Sequence, residues 1–466
     1  MGSNAAARRT MDLCGLLKLA GGARIFTVFE ALDRQQVSRD MSSDQNLKIS
    51  VHESLESLEH VRLEWDALLR DYSYATIFST YEWLVSWWRA FGANDRLLVL
   101  AFRDASSTLV GLAPMALTTC GPFPFRLRLL RLMADGSHDS DNLDLPVKAG
   151  FEERFAESLL CFLNSKRRLW DLGELNTLLP HSPGASALRQ AFRKRKWVAV
   201  EKQTPASAVE LPPTWEEYLG RLSSEDQKNL VRYTRRLEKR YAVQIYRCSV
   251  ESQLPKCLEA LFEHHQARWK AAGESGSFGS PERRKFYYEL SRSVLRQGRL
   301  DLWVLELDGR VVAAQFGFRY GRQVFQLQEG NDPQHATDRV GFVLRGHVIK
   351  QLIGDGIQIY DFLGGTLGYK ARWGAQPRAY LNVAFARLFS VGAAYTLSLH
   401  HASQSKAWLR KHLPPPIWDA LHRMNLQFQP TEREDAASRI RSRDPLTSPK
   451  DRVAESVART EENKKS

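Results

Sequence analysis

Two stretches of the chain alternate short apolar runs with turn residues, a pattern that predicts β-hairpins. Residues 97–117 read LLVLAFRDASSTLVGLAPMAL, two apolar runs joined by a polar turn. Residues 300–318 read LDLWVLELDGRVVAAQFGF, with Asp308 and Gly309 at the turn. An Asp-Gly pair between apolar runs is the strongest short-range hairpin signal. A further strand pattern follows each hairpin, FRLRLLRLMA after the first and RQVFQLQEG after the second.

The same order of elements then continues in both places. Two helix patterns follow, FEERFAESLLCFLNSKRR and DRVGFVLRGHVIKQLIGDG, and each leads to a short strand, at 170–175 and 359–365. Hairpin, strand, helix and strand therefore occur twice, about two hundred residues apart, which indicates a duplicated unit. A strand, a crossover helix and a parallel strand form a right-handed unit. We predict an α/β fold of two tandem units, with mixed, mostly antiparallel sheets flanked by helices.

Length and charge narrow the class of protein. The chain has 466 residues, more than one ordinary core holds, and a net charge of +13, which favours anionic partners. No run of about 20 apolar residues exists, so no spanning helix is expected, although peripheral membrane contact is compatible with the charge. The cysteines are scattered without a CxxC pair, which argues against a disulfide scaffold or a zinc site and favours a reducing, cytoplasmic location. They are Cys14, Cys120, Cys161, Cys248 and Cys257.

Composition also divides the chain. The N-terminal segment is uneven and the C-terminal one alternates acidic and basic residues, so both are expected to be disordered; Met41 is an alternative start. We predict an N-terminal arm at 1–45, a first unit at 46–210, a second unit at 211–390, a helical extension at 391–428 and a charged tail at 429–466.

Several motifs resemble those of one family. They are FSTYEWLVSWWRAFG at 78–92, SDNLDL at 140–145, ARWKAAGESGSF at 267–278, the second hairpin, and YDFLGGTLGYKARWGA at 360–375. Together, over roughly residues 46–390, they resemble the GNAT acyltransferase superfamily. More narrowly, they resemble the bacterial CelD or BioF2-like acetyltransferases, whose double-GNAT layout is shared with the Fem-type peptidyl ligases. The last motif is the most specific, because it joins an aromatic-Asp-apolar strand, glycines and a YKxRW-like run.

The resemblance places a coenzyme A site at the second crossover helix. Thr337 or Asp338 could cap this helix, and its first turn would hold the pyrophosphate through Arg339, Val340 and Gly341. The superfamily signature, Arg/Gln-x-x-Gly-x-Gly/Ala, survives here only at Gly341. The alternative is an ordinary amphipathic helix whose apolar face packs on the sheet through Val340, Val343, Leu344, Val348 and Leu352.

The strand VFQLQEG supplies the next candidates. By resemblance, the backbone of Leu327 and Gln328 would bind the pantetheine arm of the cofactor. Glu329 would act as general base for an amine acceptor. The alternative is that Glu329 is a solvated turn residue beside Gly330.

The YKARW run is the third candidate. By resemblance, Tyr369 protonates the leaving thiolate, and Lys370 and Arg372 hold a phosphate or carboxylate of the substrate together with Trp373. The alternative is a structural corner in which Trp373 packs on the sheet and the cations snorkel.

Arg268 and Trp269 match the RW pair of the family and are expected to line the substrate cleft. His264 and His265 are adjacent, so on a helix they point about 100° apart and cannot bind one metal ion together.

Two further clusters have open interpretations. The helix pattern at 223–240 carries a cationic stripe, which either binds a nucleotide-sugar phosphate, tRNA or lipid headgroups or is a solvated face; its members are Lys228, Arg232, Arg235 and Lys239. In the first unit, His138, Asp139, Asp141 and Asp144 crowd one loop, which is a hard-cation site or, preferably, a capped turn. The first unit has no glycine at its helix start, so we expect it to form one wall of the substrate groove without binding cofactor.

The resemblance implies an acyl-CoA-dependent N- or O-acetyltransferase (EC 2.3.1.-) that uses acetyl-CoA and no metal. Its acceptor would be an amine or hydroxyl of a small molecule or nucleotide sugar, such as a cellulose-type or other envelope polysaccharide precursor. Two alternatives stay open: a Fem-like transferase that uses aminoacyl-tRNA, and a non-catalytic GNAT-fold scaffold in polysaccharide biosynthesis.

Overall fold

The computed structural model describes residues 47–121, 126–136, 139–271 and 276–412, with the side chains of 403–412 left aside. The predicted arm at 1–45, the tail at 429–466, His138 and the extension beyond residue 412 lie outside the described residues.

Strands in the described ranges form a single sheet. They are β1 (Lys48–His52), β2 (Arg96–Arg103), β3 (Leu109–Cys120), β4 (Leu127–Leu132), β5 (Leu172–Leu178), β6 (Val198–Glu210), β7 (Val243–Arg247), β8 (Leu300–Leu307), β9 (Arg310–Tyr320), β10 (Gln323–Asn331), β11 (Ile359–Gly364) and β12 (Gln376–Ala386).

Helices flank this sheet on both faces. They are α1 (Leu55–Glu59), α2 (Arg62–Asp71), α3 (Tyr81–Phe91), α4 (Glu152–Ser165), α5 (Pro183–Lys194), α6 (Trp215–Arg221), α7 (Ser224–Arg240), α8 (Leu254–Ala271), α9 (Pro281–Arg296), α10 (Val340–Gly354) and α11 (Val391–His412). None of these described helices is long and apolar enough to cross a membrane.

The predicted fold class is confirmed. The strands follow the order β1-β2-β3-β4-β5-β12-β6-β11-β10-β9-β8-β7. Neighbours are antiparallel except for β4 with β5 and β10 with β11. Both predicted hairpins are present, as β2–β3 and β8–β9, and each is followed by the predicted strand, helix and parallel strand. The repeat in the sequence is therefore a repeat in the structure.

The two units exchange their last strands. β6, which follows β5 in the chain, pairs with β11 of the second unit, and β12, which follows β11, pairs with β5 of the first. β6 and β12 then pair with each other from Gln376↔Ala208 to Ala386↔Val198. One sheet thus runs through both predicted units. The sheet is continuous across the predicted boundary at 210 and 211, and the division into two domains there stays a prediction.

Aromatic packing also joins the two units. The ring of Trp83 on α3 lies 5.2 Å from Phe318 of β9 and 5.7 Å from Phe286 of α9, both edge to face. Phe78, just before α3, contacts Phe325 of β10 with centroids 5.6 Å apart. The FSTYEWLVSWWRAFG motif is therefore the surface with which the first unit covers the second, and such edge-to-face pairs add about 0.5–1.5 kcal/mol each beyond burial.

The helix after β12 returns to the first unit. A Cβ atom placed on Gly392 in α11 would lie 1.9 Å from the carbonyl oxygen of Asp171, immediately before β5. Gly392 therefore allows α11 to approach the sheet backbone closely. Gly220 in α6 has open space around it.

We predict opposite effects of alanine at these two glycines. Gly392→Ala should lower the free energy of unfolding by about 1–3 kcal/mol, because the methyl group meets main chain that cannot rotate away. Gly220→Ala should leave it unchanged or raise it by about 0.5–1 kcal/mol, since alanine favours the helix. Urea denaturation of both variants measures this. Equal effects would show that α11 does not pack on β5 as described.

Candidate active site

A gap opens between β10 and β11. These parallel strands pair only through Gln323↔Ile359, Val324↔Tyr360 and Phe325↔Asp361 and then diverge. A bulge between Gln326 and Gln328 changes the register of β10 on β9 at the same level. Bulges bend a strand and re-aim its side chains. The two strands therefore diverge before the crossover helix, with Leu327 and Gln328 at the edge of the gap.

The first unit has the equivalent divergence, but a side-chain bond crosses it. β4 and β5 pair from Leu129↔Leu172 to Arg131↔Glu174 and then separate. Beyond that point, Asn176 Nδ2 on β5 donates to Asp135 Oδ2, after β4, over 2.9 Å. This bond ties the two strand ends together across the divergence. That the first unit binds no cofactor stays a prediction.

The N-terminus of α10 lies beside the open gap. The predicted cap was wrong: Arg339, with φ of 57°, is the N-cap residue, and it makes no side-chain capping bond. Asp338 instead lies in the preceding 3₁₀ turn (Pro333–Asp338), where Arg236 and Arg240 donate to its carboxylate over 2.9 and 2.7 Å. Burial would raise the pKa of Asp338, but a hydrogen bond from His335 and the arginine charges lower it overall.

A cationic groove surrounds this helix start. Its volume is 610 Å³, and it is lined by Arg232, Tyr233, Arg236, Ala336, Thr337 and Arg339. Guanidinium groups next to free helix N–H groups suit a phosphate. Gly341 has a separate role, since a Cβ atom there would lie 2.4 Å from Asn331 Oδ1 at the end of β10. The glycine therefore lets α10 begin close to β10.

The amphipathic interpretation of α10 is confirmed for its apolar residues. Each of the five predicted members of the apolar face is buried, namely Val340, Val343, Leu344, Val348 and Leu352. The helix thus both packs on the sheet and presents its N-terminus at the groove.

Glu329 lies between two arginines. It forms ion pairs with Arg345 of α10 and, at 3.5 Å, with Arg268 of α8. Arg345 is only 4% exposed, so this is a buried pair. The structure brings Glu329 and Arg268 together, as expected for residues of one site, but it places both carboxylate oxygens against guanidinium groups. The interpretation as a solvated turn residue is therefore wrong.

Arg345 lies at the centre of this cluster of side chains, and the sequence analysis did not identify it. Its guanidinium carbon lies 5.1 Å from the ring centroid of Tyr369, 5.4 Å from Phe362 and 5.6 Å from Trp373. Burial would lower its pKa, but the charge of Glu329 raises it overall. The sequence does contain a sign of this role, since Arg345 stands within the apolar run VGFVLRGHVI. A cation on a buried helix face needs a partner of opposite charge.

The YKARW run forms a 3₁₀ turn (Gly368–Trp373) in which the cations contact protein groups. Lys370 is buried, and its Nζ donates to the carbonyls of Phe362 and Gly364 over 3.2 and 3.0 Å. Arg372 is exposed and donates from Nε and Nη2 to Asp226 Oδ1 of α7. These contacts favour the structural-corner interpretation for Lys370 and Arg372 over substrate binding.

The two aromatic residues of the run differ. Trp373 is buried, and its carbonyl accepts a hydrogen bond from Tyr218 over 3.0 Å. It packs on Phe342 with centroids 4.8 Å apart, as a core residue would. Tyr369 is half-buried and faces Arg345, so it remains at the site with Glu329.

The histidine pair has no metal-binding geometry. His264 Nε2 is bonded to the Val311 carbonyl, whereas His265 Nε2 accepts from the indole N–H of Trp269 over 2.9 Å. Burial, together with the charges of Arg268 and Arg283, lowers the pKa of His265 to about 3. The ring is therefore a neutral acceptor that positions Trp269 beside Arg268. No cluster able to hold a metal ion occurs among the residues that the structure describes.

The acidic loop of the first unit is a capped loop that contacts both units. Asp139 accepts from Tyr287 of α9 over 3.0 Å, and Asp141 accepts from the backbone N–H of Gly364 over 3.0 Å. Asp144 accepts from Tyr72 and Ser182. The three carboxylates thus bind protein donors, as the capped-turn interpretation predicts, while His138 lies outside the described residues.

A large cleft crosses the other face of the sheet, opposite α10. Its volume is 1680 Å³, and it spans β5, β12, β6 and β11. Glu174 and Asp361 lie at its two ends, each in the last pair before its parallel strands diverge. Burial raises the pKa of Asp361 to about 6 and also raises that of Glu174. The remaining wall combines apolar side chains, such as Leu179 and Leu381, with polar ones, among them His181, Lys202 and Tyr380.

Comparison with known proteins identifies part of the chain. Residues 224–371 match the family model described as acetyltransferase (GNAT) domain. This segment runs from α7 to the YKARW turn and contains the open gap, α10 and Glu329. This segment of the chain is thus similar to a GNAT-type acetyltransferase domain. The narrower CelD or BioF2-like assignment stays a prediction, and no curated protein matches the chain.

Solved structures that match the chain share little sequence with it. FemX is 10% identical, covers 73% of this chain and 97% of its own, and has a TM-score of 0.49. A conserved protein of unknown function from Bacteroides thetaiotaomicron is 13% identical and covers 73% and 100%, with a TM-score of 0.46. A tandem GNAT protein from the clavulanic acid biosynthesis pathway is 12% identical and covers 73% and 98%, with a TM-score of 0.41.

We predict that the ion pair of Glu329 and Arg345 contributes strongly to stability. Glu329→Gln should lower the free energy of unfolding by about 3 kcal/mol, because it leaves Arg345 buried without its counter-charge. The double variant with Arg345→Met should lose less than the sum of the two single variants, as coupled neighbours do. Urea denaturation of the full cycle measures this.

Arg372→Gln provides the control for this cycle. Arg372 is exposed in its pair with Asp226, so its loss should change stability by about 1 kcal/mol or less. If Glu329→Gln changes stability no more than this control does, the buried pair does not exist as described.

We also predict a pH dependence from Asp361. Its pKa is raised on folding from 3.8 to about 6, so its favourable contribution is complete below pH 4 and is lost as the pH rises through 6. Asp361→Asn has no titrating carboxyl at this position, so it cannot show this loss of stability. Between pH 5 and 7.5, wild type should therefore lose about 1 kcal/mol of unfolding free energy relative to the variant. Urea denaturation at both pH values tests this; a constant difference would contradict it.

Proposed function

We propose that the protein is an acyl-CoA-dependent acetyltransferase that transfers an acetyl group from acetyl-CoA to an amine or hydroxyl acceptor. The observation that carries this proposal is the open gap between β10 and β11 beside the cationic start of α10. It lies within the segment that matches the GNAT domain. A donor with a phosphate at one end and a reactive carbonyl at the other fits these two neighbouring features.

In the proposed donor complex, the pyrophosphate lies in the groove of Arg232 and Arg339 and accepts from the free N–H groups at the start of α10, near Val340 and Gly341. The pantetheine arm then follows β10 past Leu327 and Gln328 into the gap. The Gln328 carbonyl already accepts from the Gln326 side chain over 3.2 Å. We therefore expect the arm to accept hydrogen bonds from backbone N–H groups at this level of β10.

The reacting end of the donor would meet the cluster of Glu329, Arg345 and Tyr369. Tyr369 is the candidate acid for the departing thiolate, and its contact with Arg345 holds the ring in place. Glu329 orients Arg345 and Arg268 rather than reaching toward an acceptor, since the two guanidinium groups hold its oxygens. Arg268 and Trp269 lie on the same side, next to Glu329.

The acceptor would enter through the large cleft on the opposite face. Its lining, in which polar groups stand among apolar ones, suits a small molecule or a nucleotide sugar. A cellulose-type or other envelope polysaccharide precursor is the acceptor that the CelD resemblance suggests. Four described cysteines are free, which supports a cytoplasmic location.

One observation favours a second candidate, transfer from aminoacyl-tRNA. The predicted cationic stripe of α7 is exposed along one surface groove that includes Lys228, Arg232, Arg235 and Lys239. This surface continues from the groove at α10, because Arg232 and Arg236 belong to both. A row of cations of this length suits a polyanion.

We predict that Arg339→Asn weakens acetyl-CoA binding about tenfold. Asparagine tolerates the left-handed backbone of this position, so the change removes the cation and preserves the helix start. Acetyl-CoA should raise the melting temperature of wild type, and the shift should shrink in the variant. Thermal shift and isothermal titration measure this, with Lys285→Gln on the exposed face of α9 as the control for lost charge.

The outcomes separate the candidates. A shift with acetyl-CoA that depends on Arg339 supports the proposed donor site. No shift with any acyl-CoA, together with tRNA binding that falls steeply with salt, would favour the second candidate. If neither donor binds, the remaining interpretation is a non-catalytic GNAT-fold scaffold.

A further inference from the structure

The gap between β10 and β11 connects the two faces of the sheet. Successive side chains of a strand point to opposite faces. Tyr360 and Phe362 of β11 accordingly pack with α10, whereas Asp361 between them lines the cleft. Phe325↔Asp361 is the last pair before the strands separate. A group in the gap is therefore reachable from the donor face through α10 and from the cleft face past Asp361.

Asp361 has an oxygen available at this position. Asp361 as a residue is 5% exposed, and its Oδ1 accepts from the backbone N–H of Leu363 over 2.7 Å. No hydrogen bond reaches Oδ2 from any residue that the structure describes. The residue lines the cleft, so this oxygen faces the space that an acceptor would occupy. Its raised pKa of about 6 suits a group that takes a proton near neutral pH.

An unpartnered donor lies in the same cleft. Asn142 is 2% exposed, yet its Nδ2 has no hydrogen-bond partner in the described part of the chain. A buried amide donor without a partner is costly, and such groups usually await a ligand or water. Its neighbour Asp141 binds the backbone of Gly364 at the end of β11, which places this loop beside Asp361. Asn142 and Asp361 thus offer one donor and one acceptor at the same end of the cleft.

We infer that Asp361 is the general base for the acceptor and that Asn142 positions the acceptor by donating to an oxygen next to its nucleophile. This inference rests on the proposed acetyl transfer. The substrate class is an amine or alcohol with a neighbouring oxygen, as in an amino sugar or amino alcohol. Glu329, which the sequence suggested as base, retains its role in holding Arg345.

The reaction balances with these groups. The acceptor nitrogen or oxygen forms a bond to the thioester carbonyl carbon while its proton passes to Asp361 Oδ2. Collapse of the adduct breaks the C–S bond, and the thiolate leaves with that electron pair. The thiolate takes a proton from Tyr369 or solvent, so one proton moves overall from acceptor to thiol. No metal or redox partner is required for this sequence.

The test measures donor binding and thiol release separately on the full chain. Acetyl-CoA binding is measured by isothermal titration, and thiol release is followed with water alone and with glucosamine as probe acceptor. Asp361→Asn should bind acetyl-CoA within twofold of wild type and release thiol about 100-fold more slowly. Asp361→Glu should recover at least about tenfold over the amide, because it restores a carboxylate.

Asp66→Asn is the matched control, since burial also raises the pKa of Asp66, which lies on α2 outside the cleft. It should leave both binding and thiol release to water within about twofold of wild type. Asn142→Gly keeps the left-handed backbone of position 142. This variant should raise the KM for glucosamine up to about tenfold with little change in kcat, and leave release to water unaltered.

Three results would overturn the inference. Thiol release by Asp361→Asn within threefold of wild type would remove Asp361 as base. Wild type that binds acetyl-CoA but releases no thiol to either nucleophile would do the same, because water in the cleft would already be activated. Wild type that does not bind acetyl-CoA at all would instead overturn the proposed function, and this assignment with it.

Discussion

The antiparallel ladder between β6 and β12 is the constraint on which the rest of the structure depends. It runs from Ala208↔Gln376 to Val198↔Ala386 in the middle of the sheet. Buried backbone groups must be paired, and here each unit supplies the partner strand that completes the other. Because these two strands form the floor of the cleft, the positions of Glu174 and Asp361 are set by main-chain bonds rather than by loops. The strands that carry the two carboxylates are three strand spacings apart, roughly 14 Å. Along β6 the register places Glu174 level with Val200 and Asp361 level with Ala208, so the two residues are also offset along the strands.

The acidic loop at 139–144 adds the side-chain part of this connection. Its carboxylates bind Tyr287 of α9, Gly364 of β11, and Tyr72 and Ser182 of the first unit. Burial raises the pKa of Asp144 to about 6, because the loop holds this carboxyl away from water. The same loop holds the backbone of Asn142. The first unit thus contributes a loop that packs beside β11 of the second unit.

Local sequence signals predicted the elements of the fold well. The Asp308-Gly309 turn and the alternation around it specify a hairpin, and the apolar spacing of α10 specifies its buried face, because both patterns depend on near neighbours in the chain. The exchange of β6 and β12 between the units could not be predicted from the sequence. The pairing of Leu381 with Leu178 depends on contacts about two hundred residues apart, and VAVEKQTPASAVE carries no local sign of its partner.

The candidate site was predictable in location but not in roles. Cations and aromatics near a strand end indicated a site, yet Lys370 binds main-chain carbonyls and Trp373 packs in a core, which only three-dimensional neighbours can show. Arg345 was not identified because it stands in an otherwise apolar helix. Asp361 was not identified because it stands in a strand whose neighbouring residues face the other side of the sheet. Glu329, chosen from its place at a strand end, turned out to have two cationic neighbours.

The exchange of last strands also bears on how such a chain could arise. A second unit made alone would present β11 without the β6 neighbour that the full chain provides, and an unpaired strand edge recruits a strand from another molecule. Two copies that traded their final strands would rebuild the same central ladder between separate chains. Joining them in one polypeptide replaces that encounter by an internal one, with an effective concentration in the millimolar range. The fused partner is then free to diverge in sequence while it still supplies its strand to the central ladder.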